Sequence, residues 1–295
     1  MATPAQWFAG ARPRTLPAAV APVLAGTGVA AYTGDEVWWK ALLALVVALA
    51  LQVGVNYAND YSDGIRGTDE ERVGPLRLVG SKLAAPRAVK NAAFVAFGVA
   101  AVAGLVLAAT TAWWLVAVGL VAVLAAWFYT GGSKPYGYLG LGEVMVFVFF
   151  GLVAVIGTTY VQTETFDADI ALPSGYAAIG IGALACAILV ANNLRDIPTD
   201  RESGKITLAV RLGEVRTRGL YVFLLGAAVV ALVGLALATS WWALLGLAFA
   251  PTAVRAGIIV LGRASGISLI PVLQQTGVAE LLYGVGIFVG LLLAR

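Results

Sequence analysis

Residues 39–63 read WKALLALVVALALQVGVNYANDYSD. From Ala41 to Leu51 the run is Ala, Leu and Val without a charge, and the last eight residues, Asn56 to Asp63, carry two amides and two carboxylates. About 20 predominantly apolar residues in a helix cross the hydrocarbon core of a bilayer. The stretch therefore reads as a membrane helix over 39–58 with a polar cluster at one end. If the helix continues past 58, Asn56, Asn59, Asp60 and Asp63 recur at spacings of three and four and share one face.

The rest of the chain agrees with a bilayer as its solvent. Of 295 residues, 60% are hydrophobic and 12% charged, whereas soluble domains carry about 25% charged residues. Nine apolar segments can be marked, at 16–33, 39–58, 90–110, 112–130, 140–162, 174–194, 219–238, 241–261 and 277–294. The first could pass for a signal peptide, with Arg12 and Arg14 ahead of it, but so many spans follow that it reads as a retained membrane helix. Pro251 is expected to kink the eighth segment. With nine spans, one face collects Arg12, Arg14, Arg66, Arg72, Arg77, Lys82, Arg87, Lys134, Arg195, Arg201, Lys205, Arg211, Arg216, Arg218 and Arg263. The other face collects Asp35, Glu36, Glu164, Asp167 and Asp169, and only Lys40 and Arg295 oppose the trend. Positive loops stay in the cytoplasm. The expected arrangement is an all-α integral membrane protein, one domain over 1–295, in a cell membrane, with its N-terminus cytoplasmic and its C-terminus outside.

Two long polar loops, 59–89 and 195–218, then share the cytoplasmic face. They echo one another: Thr68-Asp69-x-Glu71 against Thr199-Asp200-x-Glu202, and Arg77-Leu78-Val79-Gly80 against Arg211-Leu212-Gly213. The echo points to an internal duplication whose halves each lend a wall to one site. The sixth span ends Asn192-Asn193-Leu-Arg195-Asp196-Ile-Pro-Thr-Asp200, again with four-residue spacing, and Pro198 is expected to break the helix there.

The chain has no histidine and a single cysteine, Cys186, within an apolar run. That excludes an internal disulfide, a Cys/His metal set and a histidine base. Carboxylates at a helix C-terminus oppose the helix dipole, and several at one depth repel one another without cations. An oxygen-only donor set suits Mg²⁺, which binds through a few carboxylates together with substrate phosphates. The metal candidates are Asn59, Asp60, Asp63, Asp196 and Asp200, and the aspartates are also the catalytic candidates. Lys134, Arg66, Arg72 and Arg195 are placed to hold diphosphate oxygens, with Lys134 also catalytic, whereas Arg201, Lys205 and Arg211 are accounted for by the charge bias of that face. Walker and CDP-alcohol phosphotransferase patterns are absent, and nothing points to nucleic acid. A transporter with polar residues near the membrane midplane is the competing class.

At these residues the chain resembles the membrane prenyltransferases of the UbiA superfamily. The similarity rests on Ala11-Arg-Pro-Arg-Thr-Leu-Pro, Asn56-x-x-Asn-Asp-x-x-Asp-x-x-x-Gly-x-Asp69, Lys134-Pro-Tyr-Gly-Tyr-Leu-Gly-Leu-Gly-Glu143 and Asn192-Asn-Leu-Arg-Asp-Ile-x-x-Asp-Arg-Glu-x-Gly-Lys205. The last block is most like the branch that prenylates 1,4-dihydroxy-2-naphthoate in menaquinone synthesis; a branch acting on 4-hydroxybenzoate is the nearest alternative. Arg usage and Ala/Gly richness fit an actinobacterial source. The resemblance implies nine transmembrane helices around a central cavity capped by two Asp-bearing loops. It implies one Mg²⁺ at Asn59, Asp60 and Asp63 and another at Asp196 and Asp200, with Asn56, Asp69 and Asn192 as second choices. Lys134, Arg66 and Arg195 would contact the diphosphate of a polyprenyl diphosphate. Arg12, Arg14 and Asn193 are the candidates for the acid of the naphthoate. The resemblance further implies that removing Asp60 or Asp196 nearly abolishes turnover.

Overall fold

A computed structural model describes residues 2–67 and 76–295; every structural statement below concerns those residues. A short helix α1 (Pro4–Gly10) leads through a tight turn at Pro13–Thr15 into α2 (Pro17–Thr33). There follow α3 (Trp38–Arg66), α4 (Pro86–Thr110), α5 (Leu115–Phe128), α6 (Gly142–Thr163), α7 (Ala168–Glu202), α8 (Leu208–Ala238), α9 (Trp241–Leu261) and α10 (Gly266–Leu293). No strand occurs among the described residues. Each of the nine apolar segments thus carries a helix. Seven helices are long and apolar enough to cross a membrane, and an eighth span results if Pro4–Thr15 and Pro17–Thr33, bent by 49°, are taken together. The remaining helix, α5, has 14 residues, or about 21 Å, short of a full crossing by itself.

Helix ends follow local chemistry. Pro17 and Pro86 occupy first turns, where a missing N–H costs nothing. Gly34 and Gly67 close α2 and α3 in the left-handed conformation, at φ 83° and 76°. Asp167 caps α7 through the Ile170 amide, and Thr207 caps α8 through that of Val210.

The aspartate clusters differ from expectation in one respect. They are carried by helices rather than by loops: α3 continues to Arg66 and α7 to Glu202, so Asp60, Asp63, Asp196 and Asp200 all sit in C-terminal helical turns. Pro198 does not break α7. Proline inside a membrane helix is tolerated when its surroundings satisfy the freed carbonyl, and here α7 is the most deeply packed long helix. Pro251 lies in the first turn of the α-helical part of α9, after tightly wound 3₁₀ turns over Trp241–Phe249, so it marks a change of winding.

The bundle is centred on α7, which packs against α2, α6, α8 and α10, while α3 packs on α2, α4 and α5. Small residues permit the close approaches. A Cβ on Gly151 would lie 2.7 Å from the Ala178 carbonyl and 2.8 Å from Gly182 Cα, so α6 and α7 touch through their backbones. Within α6, Phe147–Ile156 is wound as a π-helix. Such wide turns often mark functional sites, and this one places Phe149, Phe150 and Val153 on the wall of a cavity of about 430 Å³.

The two charges that opposed the topology are both neutralised at their own end of the bundle. Lys40, 3% exposed, donates to Glu164 at 2.5 Å, Thr111 Oγ1 at 2.9 Å and the Thr110 carbonyl at 3.1 Å. Arg295 donates to Glu36.

Candidate active site

The cavity runs along α3 from Ala44 to Asp63, roughly 28 Å of helix axis. Its far end is apolar, with Val23, Val47, Leu107, Leu115 and Val161, and its near end is polar, with Arg12, Asn59, Asp63, Arg77, Asn192 and Lys205. Aromatic faces stand along the upper wall, where Tyr129 and Tyr136 meet edge-on with centroids 5.5 Å apart. Burial pushes the Tyr136 hydroxyl above the ordinary phenol range, and it donates to the Ala125 carbonyl at 2.7 Å.

On the α3 wall, helical spacing turns Asn59 and Asp63 toward the cavity. Asn59 Oδ1 accepts from Thr130 Oγ1 at 2.8 Å. Asp63 Oδ1 accepts from the Tyr138 hydroxyl at 2.8 Å, and its Oδ2 lies 3.6 Å from the Arg77 guanidinium. Asp60 is placed differently. It is 1% exposed, does not line the cavity, and gives both oxygens to loop amides, Oδ2 to Leu78 at 2.7 Å and Oδ1 to Val79 at 3.0 Å. Asp60 therefore anchors the segment that carries Arg77 into the site.

On the α7 side, Arg195, Asp196 and Asp200 do not line the cavity either, and Arg195 and Asp196 are bound to each other. The guanidinium donates to Asp196 at 2.6 and 2.8 Å and to Asn192 Oδ1 at 2.8 Å. Two residues expected in separate roles thus form one buried unit. Asp200 faces Lys205 at 3.5 Å. Asn193 donates to Glu143 Oε1 at 2.9 Å.

Tyr138 joins the walls. Its hydroxyl holds Asp63, its carbonyl accepts the Ile206 amide at 3.1 Å, and its ring lies under both Arg66, at 5.5 Å, and Lys205, at 5.4 Å. The chain Asp63–Tyr138–Lys205–Asp200 brings the two clusters into one site. Arg66 is further fixed by the Thr130 and Gly132 carbonyls. Lys134 is exposed on the loop between α5 and α6 and is not among the residues that line the cavity. Arg12 and Asn56 line it, whereas Arg14 is exposed outside it. Asp69 and Arg72 lie outside the described residues, as does the Thr68–Glu71 half of the internal echo. The other half of the echo is not equivalent in space: Arg77 is buried against Asp63, while Arg211 donates to the Leu139 carbonyl.

Lys205 is more than a topological charge, because it lines the cavity and faces Asp200. Arg77, Tyr138, Thr130 and Gln52 are not among the site residues the sequence pattern names, although Arg77 stands in the positive face and in the loop echo, and Tyr138 in the block Lys134–Glu143.

Among the described residues no three acidic side chains stand close enough to hold a metal ion by themselves. The donors are nevertheless all hard oxygens on two helix ends, already compensated by cations. That fits an ion which binds through one or two carboxylates plus substrate phosphates.

The UbiA prenyltransferase family matches residues 19–268. The chain belongs to this family. A 1,4-dihydroxy-2-naphthoate octaprenyltransferase of Mycobacterium tuberculosis is 59% identical over 97% of this chain and 97% of its own length. The Escherichia coli protein of the same description is 38% identical over 96% and 94%. Among solved structures, an apo UbiA homologue from Aeropyrum pernix superposes with a TM-score of 0.72 at 15% identity, covering 92% of this chain and 97% of that one. A homologue from Archaeoglobus fulgidus bound to GPP and Mg²⁺ gives 0.67 at 13% identity, with 97% and 99% covered. The UbiA fold is therefore that of a multi-pass membrane prenyltransferase, and the enzyme is a transferase.

Proposed function

We propose that this UbiA enzyme transfers a polyprenyl group from polyprenyl diphosphate to 1,4-dihydroxy-2-naphthoate, releasing diphosphate and carbon dioxide and giving demethylmenaquinol, the hydroquinone form of demethylmenaquinone. The observation that carries the reading is the Asp63–Tyr138–Lys205–Asp200 bridge at the mouth of a long apolar cavity. The naphthoate comes from the names of the relatives.

Asn59, Asp63, Asp196 and Asp200 would hold Mg²⁺, with Asp60 fixing the loop beside them. When bound, Mg²⁺ would neutralise charge on the diphosphate oxygens. Lys205, Arg66 and Arg77 add fixed positive charge where the diphosphate gains its electron pair, and Lys134, on its short loop, is within the same polar face. The isoprenoid tail lies in the apolar far end of the cavity, against Ala44, Leu107 and Val161. The allylic C–O bond breaks with both electrons leaving on diphosphate. Tyr129, Tyr136, Phe149 and Phe150 exclude water there, and their ring faces favour the positive charge of the allylic carbon. A ring carbon bearing the carboxylate forms the new C–C bond, and the carboxylate leaves as carbon dioxide, returning its electron pair to the ring.

All nine segments are proposed to cross the bilayer as one domain, α5 extended by its flanking Trp113, Trp114 and Tyr129, with the aspartate ends cytoplasmic and the C-terminus outside. Purified enzyme given labelled polyprenyl diphosphate with either the naphthoate or 4-hydroxybenzoate tests the acceptor. A prenylated product lacking the carboxylate from the naphthoate alone supports the reading. Product from 4-hydroxybenzoate alone, or vesicle uptake with no covalent product, defeats it.

A further inference from the structure

Gln52 is an unassigned polar residue in the membrane-embedded part of the cavity wall. It is 7% exposed and lines the cavity one helical turn below Asn56, on the stripe that carries Asn59 and Asp63. Its surroundings fix its chemistry. Thr15 Oγ1 donates to the Arg12 carbonyl at 2.9 Å, so toward other groups it only accepts. It accepts from Gln52 Nε2 at 2.9 Å and from Asn56 Nδ2 at 2.9 Å. Asn56 spends its other N–H on the Ala11 carbonyl at 2.9 Å. The Gln52 amide therefore cannot flip without setting its carbonyl oxygen against an oxygen that has no proton to give. Its Oε1 is held pointing away from Thr15, buried and without a hydrogen-bond partner.

Such an orphan acceptor is costly to bury unless a donor arrives. A neutral, acceptor-only oxygen selects ligand chemistry sharply. It repels carboxylate and diphosphate oxygens, cannot use an isoprenoid tail, and accepts from a hydroxyl. Gln52 lies seven residues below Asn59, about 10 Å along the axis, a distance on the scale of a two-ring aromatic acid extending from the diphosphate end. In 1,4-dihydroxy-2-naphthoate the 1-hydroxyl is engaged by the neighbouring carboxylate, and the 4-hydroxyl is the free donor.

We infer that Gln52 Oε1 accepts the 4-hydroxyl of the aromatic acceptor, so that the Thr15–Gln52–Asn56 network reads the dihydroxy pattern and sets the ring's depth. This rests on the naphthoate reading above. Gln52 also ties α3 to the turn at Pro13–Thr15, and a purely structural role would weaken the fold and impair both substrates alike.

The test compares binding of 1,4-dihydroxy-2-naphthoate and of 1-hydroxy-2-naphthoate, which lacks only the 4-hydroxyl, to the full enzyme and to Gln52→Met and Gln52→Leu. Either variant suffices if it keeps the unaltered KM for polyprenyl diphosphate, which also reports folding. The expected result is a preference of about tenfold or more for the dihydroxy compound in the parent enzyme, collapsing to near unity in the variant. A preference that survives substitution, no preference in the parent enzyme, or KM values for both substrates rising together in both variants overturns the inference while leaving prenyl transfer intact. If the parent enzyme makes no product from the naphthoate, the proposed function fails first and this inference falls with it.

Discussion

Asp60 and Asp63 are three residues apart on one helix, yet they do different work. Asp60 spends both oxygens on the Leu78 and Val79 amides, whereas Asp63 faces the cavity and meets Tyr138 and Arg77. Asp63→Asn is expected to lower kcat at least a hundredfold with little change in thermal midpoint. Asp60→Ala strands two buried N–H donors and is expected to cost about 2–4 kcal/mol, with activity lost through displacement of Arg77. Thermal denaturation in detergent beside a turnover assay separates the two; equal stability losses would contradict the division. Glu280 makes a different case. It is fully buried on α10 with both carboxyl oxygens unpartnered. Glu280→Met removes that burden and is expected to raise the thermal midpoint, and a lower midpoint would show that the carboxyl group has a supporting partner.

At the scale of elements, the aspartate helices were legible because spacing of three and four survives whichever way a helix ends. What the sequence did not reveal was how far they run. Pro198 reads as a breaker from local chemistry alone, but burial of α7 on several sides overrides it. Nor did Arg195 and Asp196 announce their mutual bond, since adjacent residues on a helix do not usually face one another. The π-wound part of α6 carries no sequence signature either; its residues are simply apolar. Its packing makes a prediction. Gly151→Ala forces a methyl against the Ala178 carbonyl and Gly182 and is expected to cost about 1–3 kcal/mol. Denaturation in detergent checks it, and an unchanged midpoint would mean that the helices part without penalty.

Across the whole molecule, nine apolar segments and the charge asymmetry gave the order of the bundle, and the structure explains the two charges that broke the rule. Lys40 and Arg295 are held by Glu164 and Glu36 at the same end. The topology puts both aspartate clusters on one face, but no local pattern tells that Tyr138 links Asp63 to Lys205 and Asp200. Arg201→Cys should react with an impermeant thiol reagent only from the cytoplasmic face and Asp35→Cys only from the outer face, against a low background because Cys186 is buried. The reverse labelling would overturn the orientation. The central claim, that both aspartate walls form one Mg²⁺-dependent prenyl-transfer site, is met most directly by following carbon dioxide from carboxyl-labelled 1,4-dihydroxy-2-naphthoate. With polyprenyl diphosphate present, release should match prenylated product one for one and stop when Mg²⁺ is chelated. It should stop equally in Asp63→Asn and in Asp200→Asn. Full release without Mg²⁺, or in either variant, would contradict the account.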